Sequence, residues 1–206
     1  MDADIRRARI HHVNFLTTQL EAMIDWYGTV LGMRVQFHAA GLLAFLTNDE
    51  ANHRLALTTT PTLLHDPGKR QHDRLHHTAF EYDSFEDLNA TYLRLRDRGI
   101  TPRACLDHQI TFSYYYEDPD GNYVELQVDG FGNWAKSTEF IRTSPRFAEN
   151  PVGAFLDPAK VAAAHADGLS FEHIREHLWT TDDFRPSSFD LGLPPGSPSL
   201  APPAKW

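Results

Sequence analysis

Two near-identical phrases carry the residues best suited to chemistry: Ile10-His11-His12-Val13-Asn14-Phe15 and Leu75-His76-His77-Thr78-Ala79-Phe80, 65 residues apart. A strand-like run further on, Tyr123-Val124-Glu125-Leu126, adds a lone carboxylate. Two imidazoles and one carboxylate leave coordination positions open on a divalent metal. Zinc tolerates such a set, and so does Fe(II), for which it is the oxygen-activating arrangement. If the phrases are strands, alternation selects the ligands. His12 and Asn14 then share a face opposite His11, Val13 and Phe15, and His77 and Ala79 share a face opposite His76, Thr78 and Phe80. The Phe-bearing faces are expected to pack on helices, which leaves His12, His77 and Glu125 as the metal set. The same rule groups Glu125 with Tyr123 and Gln127, and Thr111 with Ser113 and Tyr115. Each of these residues alone is more often a surface or satisfied core group. Matched positions in a repeat favour a site.

The elements that must position these residues repeat as well. At the same offset Leu20 maps to Phe85, Met23 to Leu88, Tyr27 to Tyr92 and Val30 to Leu95. Both copies place apolar residues at i, i+3, i+7 and i+10, which predicts an amphipathic helix in each. Thr18-x-x-Glu21 reads as a capping box for the first helix and Ser84 as the N-cap of the second. Gly32 and Gly99 stand where glycines end helices. Strands are expected at roughly 33–38, 42–47 and 53–59 in the first copy, and at 101–105, 110–117 and 122–128 in the second. Asp118-Pro119-Asp120-Gly121-Asn122 is a turn signal between the last two. The fold class is therefore α+β, with two β-α-β-β-β modules (8–60 and 74–130) expected to pair into one domain over 8–130. The loop Thr60–Asp73 links them. Residues 129–156 read as irregular loop. Asp157-Pro158 opens a helix to about Ala166, and Ser170 caps another over 171–178. A C-terminal extension thus covers 131–180. The tail 181–206 holds Pro186, Pro194, Pro195, Pro198, Pro202 and Pro203, and is expected to be disordered or an arm laid on a neighbour.

The formal charge of −9 argues against nucleic acid or an anionic membrane as a partner, since both reward a basic face. No stretch approaches a membrane span, and no signal-peptide core opens the chain. The single Cys105 cannot form an internal disulfide and reads as a buried small hydrophobe, so a cytoplasmic location is expected. Edge pairing and the Pro-rich arm suggest a homo-oligomer.

These residues resemble the vicinal oxygen chelate (glyoxalase/bleomycin resistance/dioxygenase) superfamily, within it the single-domain type I extradiol ring-cleaving dioxygenases. The resemblance covers roughly 8–130, with an echo to about 180. It rests on Ile10–Phe15, Asn52-His53-Arg54-Leu55-Ala56-Leu57, Leu75–Glu81 and the run from Tyr115 to Leu126. Phe147-Ala148-Glu149-Asn150-Pro151-Val152-Gly153 also looks like the tail of single-domain extradiol enzymes. The resemblance implies that His12, His77 and Glu125 bind iron and that the three have further catalytic company. His53 corresponds to an acid–base histidine, Tyr115 to a tyrosine that hydrogen-bonds a substrate oxygen, and His108 to a further pocket histidine whose spacing from Glu125 departs from the two-domain enzymes. It implies Fe(II), with Mn(II) as a substitute on ligand grounds, O2 as co-substrate and a small aromatic diol as substrate. A diol chelated by a cation loses its proton more easily, which a near-neutral histidine suits. Two rival readings share the scaffold. One is a glyoxalase- or epimerase-like lyase or isomerase, which the resemblance links to a fourth protein ligand near the end of the first copy; Leu55-Ala56-Leu57-Thr58-Thr59 supplies no acid there. The other is a non-catalytic, drug-sequestering binding protein, which does not need the three ligands.

Overall fold

The computed structural model describes residues 8–197. The chain forms two compact units. Unit 1 takes in the residues up to Asp66 together with Asp118–Asp120, and unit 2 the rest.

In unit 1, β1 (Val13–Leu16) leads into α1 (Leu20–Leu31), followed by β2 (Arg34–Ala39), β3 (Leu43–Thr47) and β4 (Leu55–Thr58). The sheet order is β1-β4-β3-β2, with β1 and β4 parallel and the other pairs antiparallel. The predicted stripe Leu20, Met23, Tyr27 and Val30 is buried. Phe15 lies against Tyr27, ring centroids 6.4 Å apart, so the Phe-bearing face of β1 does pack on the helix. Gly32 ends α1 with φ +63°, a left-handed conformation that costs glycine nothing sterically. The expected Thr18 capping box does not form. Gln19 occupies the cap position without a side-chain bond, and the Thr17 hydroxyl accepts from the Gln19 N–H at 2.9 Å.

Unit 2 repeats the pattern with β5 (His77–Tyr82), α2 (Phe85–Arg96), β6 (Ala104–Asp107), β7 (Thr111–Glu117) and β8 (Tyr123–Asp129). Its sheet order is β5-β8-β7-β6-β9, the same arrangement extended by one strand. Ser84 caps α2 as predicted, accepting from Asp87 N–H. The stripe Phe85, Leu88, Tyr92 and Leu95 is buried. Phe85 and Tyr92 meet Phe112 and Tyr114 edge-on from one side of the sheet. On the other side Ala104, Leu106, Tyr115, Tyr123 and Phe155 form an apolar cluster, with Val152 and Leu191 packed against it. Cys105 is free and buried, as expected.

The stretch 129–156 corrects the sequence reading. It is not irregular: it holds α3 (Trp134–Thr143), α4 (Pro145–Glu149) and the two-residue β9 (Ala154–Phe155), which pairs with β6. Asn133 and Ser144 cap the two helices through their side chains. The helices expected next are α5 (Pro158–Ala166) and α6 (Phe171–Thr180), capped by Asp157 and Ser170. The tail is also corrected within the described residues. It is laid on unit 2 of its own chain, with Phe184 buried and Phe189 stacked on Phe155, centroids 3.7 Å apart. Pro198, Pro202 and Pro203 lie outside the described residues. Among those described, no helix is long and apolar enough to cross a membrane.

Candidate metal centre

Unit 1 gathers three histidines. His12 directly precedes β1, and His53 precedes β4, the strand that pairs in parallel with β1. Their rings lie 4.3 Å apart, and His11 joins them at 5.3 Å from His12 and 5.2 Å from His53. One ligand atom from each lies within 4.8 Å of the others, so the group is able to hold a metal ion. Phe45 stacks on His53 at 4.6 Å. The His53 Nδ1 sits 2.7 Å from the Asn52 side-chain oxygen, which only accepts, so Nδ1 carries the proton and Nε2 is left as a base. Partial burial lowers the His53 pKa, helped by repulsion from His12 and His11. The ring is thus neutral near pH 7.

His11 in this group corrects the alternation argument. The same holds for His76, whose Nδ1 lies 2.8 Å from Nδ1 of His77. Strand β1 starts at Val13 and β5 at His77. His11, His12 and His76 precede the pleat, so its alternation does not aim their rings.

Unit 2 builds a more buried group. The parallel register of β5 and β8 sets Ala79 opposite Glu125, which places the His77 ring one pleat away on the same face. The His77 Nε2 lies 3.1 Å from Glu125 Oε2. Glu125 is 5% exposed, and among the described residues no lysine or arginine is bonded to it. Burial pushes its carboxyl pKa up, but hydrogen bonds with His77 and Ser113 outweigh this and hold it below the ordinary value. Tyr115 stands opposite Glu125 in the antiparallel ladder, and its hydroxyl is hydrogen-bonded to that carboxylate. Burial, then the Glu125 charge, raises the Tyr115 pKa, so the phenol stays protonated. The same hydroxyl lies 2.9 Å from Nε2 of His108, whose Nδ1 donates to the Val152 carbonyl. That tautomer leaves His108 Nε2 as an acceptor, so the single phenol proton serves either Glu125 or His108. Burial lowers the His108 pKa despite the raising effect of Glu125, so this ring is neutral too.

A remote clamp fixes the His108 backbone. Asp107 is fully buried and takes a two-point ion pair from Arg175 of α6, at 2.9 and 3.1 Å. Trp179 donates to the same carboxylate at 3.0 Å, and so does the Gln109 N–H at 2.8 Å. Gln109 has φ +71°, a strained value for a residue with a side chain.

Of the residues read from the sequence, His12 and His53 come together in unit 1, and His77, Glu125, Tyr115 and His108 in unit 2. Those chemistries fit a divalent cation: a buried carboxylate facing an imidazole nitrogen needs a positive charge, and nitrogen and oxygen donors suit Fe(II), Mn(II) or Zn(II). Sequence reasoning missed His11, His76, Asp107 and Arg175. Ser113 had been placed on the Tyr115 face by alternation, but its bond to Glu125 had not been foreseen. The matched ladders add one fact about the first copy. Asn14 and Ala79 are equivalent, and Asn14 pairs with Ala56 as Ala79 pairs with Glu125. Ala56 therefore stands where the second copy has its carboxylate.

Residues 9–126 match the family described as the Glyoxalase/Bleomycin resistance protein/Dioxygenase superfamily. The chain is 40% identical over 171 residues to biphenyl-2,3-diol 1,2-dioxygenase 2 of Rhodococcus globerulus, covering 83% of this chain and 88% of that protein. It is 37% identical over 177 residues to biphenyl-2,3-diol 1,2-dioxygenase 3 of the same organism, covering 83% and 89%. Among solved structures, a glyoxylase/bleomycin resistance protein/dioxygenase domain from a Frankia species aligns over 62% of this chain and 96% of that one, with TM-score 0.53 and 17% identity. That likeness concerns the fold.

Proposed function

This chain belongs to the glyoxalase/bleomycin resistance protein/dioxygenase superfamily, and on that footing we propose that it is an extradiol dioxygenase that opens the ring of a catecholic substrate with O2. The observation that carries the reading is the half-buried His77–Glu125–Tyr115–His108 chain in a protein 40% identical to a biphenyl-2,3-diol 1,2-dioxygenase. We assign His12, His77 and Glu125 as the ligands of Fe(II), with Mn(II) as a substitute. His12 enters this set as the repeat equivalent of His77. Bound there, the metal would supply a Lewis acid for the two diol oxygens and a redox route to O2, which Zn(II) lacks.

The chain's own residues supply the rest. The His53 Nε2, neutral and unprotonated, accepts a proton from the diol. Tyr115, held as a phenol, donates to a substrate oxygen in place of one of its present acceptors. His108 Nε2 is a neutral acceptor for that proton when no substrate takes it. The apolar cluster around Tyr115 excludes water and faces an aromatic ring. The ring bond beside the diol breaks, and both oxygen atoms of O2 enter the product. Ala56, at the place of Glu125 in the first copy, argues against a lyase or isomerase with four protein ligands. A cytoplasmic location is the proposal that the lone buried Cys105 supports. A homo-oligomer is supported by Val35 and Phe37, exposed on the edge strand β2.

The test is anaerobic loading with Fe(II), then a panel of aromatic diols and air. Oxygen uptake with a yellow ring-opened product is expected. A metal-loaded protein that consumes no oxygen with any diol leaves the binding-protein reading in its place.

A further inference from the structure

We propose that the C-terminal strap Asp190–Gly192 fixes which nitrogen of His77 is offered to the metal, acting through His76. The inference rests on the reading of His77 as a metal ligand. The His76 Nε2 lies 2.7 Å from the Leu191 carbonyl, which can only accept. His76 therefore carries its proton on Nε2, and its Nδ1 is left as an acceptor. That Nδ1 lies 2.8 Å from Nδ1 of His77, so the His77 proton sits on Nδ1. The remaining nitrogen, Nε2, is the one that faces Glu125 Oε2 at 3.1 Å, where a bound metal would take the place of the hydrogen-bond proton between them. A carbonyl 115 residues away thus sets the tautomer two rings down.

The strap is built to hold that carbonyl still. Its Asp190 N–H donates to the Arg103 carbonyl at 2.8 Å, and its Asp190 carbonyl accepts from the Tyr123 hydroxyl at 3.0 Å. Arg70 pairs with the Asp190 carboxylate at 2.8 Å, and Arg74 donates to the Gly192 carbonyl at 2.6 Å. Gly192 has φ +67°, and a Cβ there would stand 2.4 Å from the Tyr123 ring. Only glycine lets the strap lie this close. Tyr123 in turn stacks on His76, centroids 5.6 Å apart. The first copy has the same His-His contact, His11 to His12 at 3.1 Å, but among the described residues nothing anchors the other His11 nitrogen. His76 is a positioning residue in this scheme. Partners of ligating histidines typically change metal affinity by about 10–100-fold.

The experiment is nitrogen NMR of the full chain with labelled histidine, loaded with diamagnetic Zn(II). His77 is expected to be protonated on Nδ1 and metal-bound through Nε2. His76 is expected to be protonated on Nε2, with a scalar coupling across the Nδ1–H···Nδ1 bond. Metal bound through His77 Nδ1, or a His76 protonated on Nδ1, overturns the proposal without any variant being made. Zn(II) affinity should fall by about 10–100-fold in His76→Phe and recover in His76→Asn, which restores an acceptor at the Nδ1 position. Unchanged affinity in a folded His76→Phe, when His77→Ala has lost the metal, defeats the relay alone. Full metal retention by His77→Ala defeats the ligand set on which it rests.

Discussion

The two copies of the repeat share a ladder and differ in what holds their histidines. In unit 1 the His11–His12–His53 group is exposed or half-buried, and its rings mostly hold one another. In unit 2 the corresponding His76–His77 pair is tied to a buried carboxylate on one side and to a backbone carbonyl on the other. Part of the difference lies within the repeat, where Glu125 stands in place of Ala56, and part comes from outside it. β9, α6 and the strap are all C-terminal additions, and all of them bear on unit 2. Duplication supplies two similar frames, and the extension stiffens only one of them.

The largest effect should come from removing the asymmetric carboxylate. Glu125→Ala is expected to abolish ring cleavage, measured as oxygen uptake, whereas placing its counterpart in the first copy, Ala56→Glu, should lower cleavage with the metal retained by filling a position the diol needs. Loss of metal from Ala56→Glu would break the comparison. Next, His53→Phe in unit 1 should keep the metal and slow turnover by about 10²–10⁴-fold, the usual worth of a general base. A steady kcat would remove His53 from the mechanism. Arg175→Leu strips the partner from a fully buried Asp107 and should cost about 3–5 kcal/mol in urea denaturation, a penalty with no counterpart in unit 1.

The pH response should differ between the units in degree. His108 and His53 both have lowered pKa values in the folded chain, so the unfolded state binds protons first. Each therefore contributes stability that is present above the ordinary imidazole value and lost as pH falls from about 6.5 through the folded value. His108→Gln should flatten the acid limb of the metal-free stability profile more than His53→Gln, because His108 is the more buried ring. The smallest effect is Gly32→Ala, where a Cβ meets nothing within 4 Å, so only backbone strain of about 1–2 kcal/mol is expected. Gly192→Ala should cost more, since Tyr123 blocks the Cβ.

The repeated frame was legible because its signals are local. The stripes of α1 and α2, the Ser84 cap, Gly32 and the shared face of Ser113 and Tyr115 all follow from spacing within a few residues. What escaped was non-local. β9 has two residues and exists because β6 offers an open edge. The strap is held by Arg70, Arg74, Arg103 and Tyr123, far away in the chain, while its Gly192 and the prolines that follow it read as coil. His11 and His76 were turned away by a rule that applies only inside a strand, and the two strands begin three and two residues later than the phrases do. The Asp107–Arg175 clamp left no sequence signal beyond ordinary charges.

The central claim is that one metal is held by His12, His77 and Glu125. Metal content of the purified variants tests it most directly, after reconstitution with Fe(II) and removal of excess. His12→Ala, His77→Ala and Glu125→Ala should each lose the bound iron, while His11→Ala and His53→Ala keep it. If His11→Ala and His53→Ala lose the iron while His77→Ala and Glu125→Ala keep it, the metal belongs to the three histidines of unit 1 and the assignment is wrong.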